Sequence, residues 1–279
     1  MAFSIRKHRL VAEGRAVDLL LSPNTGGLFA ETPRLLVIHF TAGASGRSSA
    51  EWFRSSQNRS SSAHLVIDRD GSVIQCVPFD TVAWHAGRSQ WQGLVGLNRH
   101  SLGIELANWG DLTRRGAAWV TSSGVPIPDP VMAVHRNGNP DGSRGPIGWE
   151  PYPEAQLRAL TEIARALRET YGIAEIVGHD DIAPTRKSDP GPAFAMERLR
   201  AAVIGSGRDE DGDPALRVAA KGGLNLRSGP GTGFSVLELL PQGTLVRPSE
   251  RDGRWFDVAV LDGDGRARRS GWVHSAHLA

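Results

Sequence analysis

Long apolar runs and helical periods alternate from residue 35 to about residue 200, and short alternating segments between Gly/Pro turns follow from about residue 216. Leu35-Leu36-Val37-Ile38 is an unbroken apolar run, as expected of a strand buried on both faces, and it ends at His39. Residues 48–59, with Ala50, Trp52 and Phe53, read as a short helix capped by Ser48 or Ser49. Residues 64–68 and 73–77 flank an Arg69-Asp70-Gly71 turn and predict a hairpin. Residues 101–106 alternate as another strand. From 153 to 171 the spacing of Leu157, Leu160, Ile163, Ala164 and Leu167 predicts a helix stopped by Gly172. Residues 173–177 give a last short strand, ending close to His179. Strands separated by helices, with a hairpin among them, predict an α/β unit with a mixed sheet flanked by helices.

Two stretches break this pattern. Residues 111–153 are rich in Gly, Pro, Ser and Asn without a period, and read as a long functional loop that covers a cleft and sets substrate range. Residues 206–213 are polar and Gly-rich and read as a linker between a first domain, 1–205, and a second, 214–279. The tail has strand-like segments at 224–228, 236–240, 255–258 and 270–273 with close turns, which predicts a small all-β barrel.

Composition narrows the classes. An apolar fraction of 40% and a charged fraction of 22% are those of a globular protein. A net charge of +2 with no long basic run argues against a nucleic-acid partner. The N-terminal residues carry positive charge without an apolar stretch behind them, so neither a secretory signal nor a membrane span is expected. A single cysteine, Cys76, excludes an internal disulfide; set in a strand, it reads as an inert buried thiol.

The chemistry concentrates in residues 177–192, where His179, Lys187 and Asp189 share a segment braced by Pro184, Pro190 and Pro192. A catalytic zinc typically has three protein ligands and one open position. His39, His179 and Asp189 supply such a set, from an early strand end and from this segment. Glu105 projects from an otherwise apolar strand, where a carboxylate is costly to bury without a role, and is the candidate general base. Lys187 is the candidate cation for a developing oxyanion, a contribution typically worth about 3–4 kcal/mol.

Five segments in order, 37–41, 62–68, 83–87, 101–108 and 177–192, resemble the zinc-dependent N-acetylmuramoyl-L-alanine amidases of phage lysins, wall-recycling enzymes and peptidoglycan recognition proteins. The resemblance implies one zinc per chain on His39, His179 and Asp189, with Glu105 as base and Lys187 as oxyanion-stabilising cation. It implies hydrolysis of the amide between the lactyl group of N-acetylmuramic acid and L-alanine, with peptidoglycan or muropeptides as substrate. Relatives often carry His or Tyr where Phe40 stands, which leaves the first ligand intact. The resemblance places His64 and His85 at the cleft near the metal, against the plainer reading of His64 as a core residue. Asn58, Asn98 and Asn108 are candidates for bonding sugar or peptide groups, although loop asparagines also serve turns.

Segments 224–232, 240–244, 255–258 and 271–274 resemble a bacterial Src-homology-3-like domain, which implies a wall-binding module. The expected setting is an enzyme made in the bacterial cytoplasm and released or delivered to the wall, as a lysin or effector ahead of a cytosolic recycling enzyme. The competing functions are a non-catalytic peptidoglycan binder of the same fold and a zinc peptidase on stem peptides. The full set of ligands plus Glu105 and Lys187 disfavours the binder, and the lack of His-Glu-x-x-His disfavours an ordinary metalloprotease.

Overall fold

The computed structural model describes residues 2–204, 215–262 and 267–278. The chain divides into two compact units, Met1–Gly205 and Ser206–Ala279. The expected linker at 206–213 lies outside the described residues. Among the described residues no helix is long and apolar enough to cross a membrane.

The larger unit is built on a six-stranded mixed sheet with the order Glu175–Gly178, Leu35–Phe40, Ser101–Leu106, Leu65–Ile67, Val73–Gln75, Asp18–Leu19. The three strands of the centre, with Glu175–Gly178, run parallel, and Val73–Gln75 turns back antiparallel on Leu65–Ile67. Successive side chains on a strand face opposite sides, and this alternation assigns the sheet's two faces. Leu36, Ile38, Leu102, Ile104 and Leu106 face the helix Glu154–Tyr171 and join Leu160, Ile163 and Leu167 in the main core. Full burial of each of these large side chains contributes roughly 1.5–3 kcal/mol. Residues one position out of phase, Val37 and His39 on one strand and Ser101, Gly103 and Glu105 on the next, therefore face the other side. Because the strands pair Gly103 with Val37 and Glu105 with His39, the two functional candidates come out side by side.

The predicted elements recur with shifted ends. The first helix is Gly46–Arg54, and its cap is Ser45, whose hydroxyl accepts from the Ser48 N–H, rather than Ser48 or Ser49. The long helix ends where Gly172 adopts φ 67°, a conformation that suits glycine. Residues 111–153 are not structureless: they form two hairpins, Thr113–Arg115 with Ala118–Val120 and Val131–Ala133 with Ile147–Trp149. Among the regions with no predicted counterpart are the N-terminal hairpin Phe3–Arg6/Arg9–Ala12 and the helix Met196–Val203. Both add side chains to the main core, Leu10 from the hairpin and Leu199 and Val203 from the helix.

The smaller unit is a six-stranded antiparallel sheet, with strands Leu216–Arg217, Leu245–Asp252, Trp255–Leu261, Ala267–His274, Leu224–Arg227 and Val236–Leu240 in that order. Its own core is formed by Val218, Leu224, Leu226, Leu240, Val246, Val258, Val260 and Val273.

Candidate active site

His39 lies inside its strand, one residue before the end, and His179 opens the short helical turn His179–Ile182 directly after Glu175–Gly178. Adjacent parallel strands thus deliver both imidazoles to one sheet edge. Asp189 returns to them because its backbone carbonyl accepts from the Asp180 N–H, closing the 180–189 loop on itself. Three donor atoms converge: His39 Nδ1 is 2.9 Å from His179 Nδ1 and 2.9 Å from Asp189 Oδ2, and His179 Nδ1 is 3.0 Å from that oxygen. All three residues are buried, and together they form a group able to hold a metal ion. Two imidazole nitrogens and one carboxylate oxygen form a donor set suited to zinc.

The electrostatics suit these groups to hold a cation. Burial, with His179 alongside, lowers the His39 pKa to about 4, so the ring is neutral near pH 7. Burial acts to raise the Asp189 carboxyl, but hydrogen bonds to His179 and His39 outweigh it and hold the group well below the usual carboxylate range. Burial, with Asp189 adding to it, raises Glu105 well above the usual range, while Lys187 pulls the other way. Glu105 Oε2 is buried without a hydrogen-bond partner, a state that ordinarily costs about 1–3 kcal/mol. Burial, and to a lesser degree Glu105, pushes the Cys76 thiol up to about 12, which makes it unreactive.

These groups open onto a cleft of about 400 Å³ that includes His39, Glu105, His179, Lys187 and Asp189 among its lining residues. Its lining includes the aromatic side chains Phe40, Trp52 and Trp84. No residue of 111–153 lines it, so the expectation that this segment covers the cleft is not met. The second hairpin of that segment instead packs behind the 180–189 loop: His135 Nε2 lies 3.1 Å from Asp180 Oδ2, and Arg136 bridges Asp180 and Asp181 at 2.8 and 2.6 Å.

Four sequence candidates are displaced from the cleft, and one of them, Asn98, uses its Oδ1 to accept from the His85 and Ala86 N–H groups. His64 is fully buried, its Nε2 3.0 Å from the Thr81 carbonyl and its Nδ1 accepting from the Gly103 N–H, so no ring nitrogen is left for substrate. Asn58 folds the turn after the first helix, accepting from the Ser60 and Ser61 N–H groups and donating to the Ser61 carbonyl. Asn108 is buried, donating to the Glu150 carbonyl and accepting from the Gly110 N–H. Polar type within a motif does not separate a substrate contact from a turn former. His85 does reach the cleft, but its ring bonds to His39. Sequence reasoning passed over Ser101, which binds the His85 ring; its place two and four residues before Gly103 and Glu105 on the same strand face was the available signal.

Residues 29–192 match the N-acetylmuramoyl-L-alanine amidase family. The chain belongs to that family. It is an N-acetylmuramoyl-L-alanine amidase, an enzyme that hydrolyses the bond between N-acetylmuramic acid and L-alanine. Residues 222–279 of the amidase match the bacterial SH3 domain. The chain is 34% identical over 191 residues to 1,6-anhydro-N-acetylmuramyl-L-alanine amidase AmpD of Escherichia coli, covering 62% of this chain and 84% of that protein. It is 32% identical to N-acetylmuramoyl-L-alanine amidase AmiD of Escherichia coli, covering 63% of this chain and 55% of that protein. Among solved structures, a selenomethionine AmpD derivative has a TM-score of 0.47 and 28% identity, over 71% of this chain and 98% of that one.

Proposed function

We propose that the amidase works with one zinc held by His39, His179 and Asp189, with Glu105 as proton carrier and Lys187 as oxyanion partner. The observation that carries this reading is the convergence of three buried ligand atoms within 3.0 Å, beside an unpartnered carboxylate in the same cleft. Zinc bound there would supply Lewis acidity and make water a competent nucleophile near neutral pH.

The chain's own groups do the rest. The raised pKa of Glu105 suits a group that takes a proton from water and returns it to the departing amine of L-alanine. Its partner-free Oε2 is the atom at which that proton rests. Lys187, placed on the cleft wall, offsets the negative charge that gathers on the carbonyl oxygen of the lactyl amide. The aromatic side chains in the lining present apolar surface suited to a sugar or peptide face. A purely binding role gives no reason to keep a buried carboxylate unpaired beside a ligand set.

The domains are assigned as catalytic at 1–205, linker at 206–213 and wall-binding at 214–279. The second domain would hold the enzyme on polymeric peptidoglycan, where tethering raises the effective concentration of substrate. This fits release or delivery to the wall, as a lysin or effector, better than action on soluble fragments alone. Digestion of purified peptidoglycan, with fragments identified by mass, tests the reading. Free stem peptides beginning with L-alanine and uncut glycan chains are expected; disaccharides or shortened peptides as the main products would defeat it.

A further inference from the structure

His85 and Ala86 meet both metal histidines from behind. His39 Nε2 lies 3.0 Å from His85 Nδ1, and His179 Nε2 lies 3.2 Å from the Ala86 carbonyl. The direction of every proton in this arrangement follows from groups that can only accept. The Leu97 carbonyl accepts from the Ser101 hydroxyl at 2.6 Å, so that hydroxyl turns a lone pair toward His85. His85 Nε2 is 3.3 Å from the Ser101 hydroxyl and 3.4 Å from the Ser101 carbonyl, and must carry the ring proton. His85 Nδ1 is then bare, accepts from His39 Nε2–H, and leaves His39 Nδ1 bare where the three ligand atoms converge.

The same logic governs His179. The Ala86 carbonyl can only accept, so His179 carries its proton on Nε2 and bares Nδ1. Arg186 Nη2 stands 3.3 Å from that Nε2, but its two protons go to the Ala86 and Arg88 carbonyls at 2.9 and 3.0 Å. The dipeptide is itself fixed: Asn98 Oδ1 accepts from both the His85 and Ala86 N–H groups at 3.1 and 2.7 Å. Gly103 makes room for the ring, since a Cβ there would lie 2.4 Å from His85 Cγ.

We propose that His85 is a positioning residue rather than a substrate-binding one: with Ala86, and locked by Asn98 and Ser101, it sets both metal histidines in the tautomer that presents Nδ1 to the ion. This rests on the zinc reading above. Partners that orient a ligating histidine are commonly worth 10–100-fold in metal affinity.

The test compares zinc affinity, by competition with a chromophoric chelator, in the full-length wild type, His85→Leu and His85→Asn. An asparagine Oδ1 occupies the place of the histidine Nδ1 and can accept from His39. His85→Leu should bind zinc about 10–100-fold more weakly, with KM of the zinc-saturated enzyme unchanged, and His85→Asn should recover most of that loss. If His85→Leu does not fold, Asn98→Ser is used, which frees both N–H groups but keeps the ring, and it too should weaken zinc. Wild-type zinc affinity in His85→Leu together with a raised KM would overturn the inference and return His85 to substrate binding. Equal loss in the Leu and Asn variants would also overturn it. A wild type that takes up no stoichiometric zinc would instead refute the metal reading itself.

Discussion

A single buried histidine illustrates how this chain uses imidazoles for different ends. His64, with its ring bonded to two backbone groups, has its pKa lowered to about 4 from an ordinary 6.5 by burial. Below pH 6.5 the unfolded chain takes up a proton that the folded chain refuses until about pH 4, so this contribution is complete above 6.5 and lost as pH falls toward 4. The span corresponds to about 3 kcal/mol. His64→Gln keeps a donor and an acceptor but does not titrate. Urea unfolding of both zinc-loaded proteins should show the wild type losing about 2–3 kcal/mol more than the variant between pH 7 and pH 4.5. Parallel losses would show that His64 does not refuse the proton. At this scale the candidate ligand set His39, His179 and Asp189 was legible in the sequence because metal chemistry admits few residue types, and the structure brings the three together. The roles of His64, Asn58 and Asn108 were not, because a backbone partner distant in sequence leaves no mark on the residue that binds it.

Elements set which side chains meet, and they do so through period and register. The alternation on Leu35–Phe40 and Ser101–Leu106 sends leucines and isoleucines toward the long helix, and His39 and Glu105 to the opposite face. The main core and the candidate site thereby lie on opposite faces of one sheet. Leu160→Ala, on the helix side, should lower the unfolding free energy by about 2–5 kcal/mol while leaving zinc affinity and KM at wild-type values. A change in zinc affinity as large as the stability loss would show that the two faces are coupled. The hairpin behind the 180–189 loop acts differently. His135→Ala removes a partner from the buried Asp180 carboxylate, next in sequence to the proposed ligand His179, and should cost about 1–3 kcal/mol. Unlike the Leu160 change it should also speed zinc release, read with a chelator in excess. The strong periods of 35–38, 101–106 and 153–171 were readable from the sequence because burial there is continuous. The hairpins in 111–153 were not, since strands of three residues carry too few positions to show alternation.

At the scale of the whole molecule, an amidase unit and an SH3-like unit each close a core of their own. Their change of texture near residue 216 is what made the division visible in the sequence. If the second unit holds the enzyme on its polymer, removing residues 206–279 should leave the rate on soluble muropeptides unchanged. On intact wall at low enzyme concentration it should slow hydrolysis about tenfold or more. Equal rates on both substrates would leave the second unit without a tethering role. In the first unit, zinc on His39, His179 and Asp189 is proposed to need Glu105 to move the proton. The most direct measurement is the turnover of Glu105→Gln at confirmed full zinc occupancy. One zinc per chain with a rate reduced by about 100-fold to 10,000-fold is expected. Wild-type turnover in that variant would contradict the account.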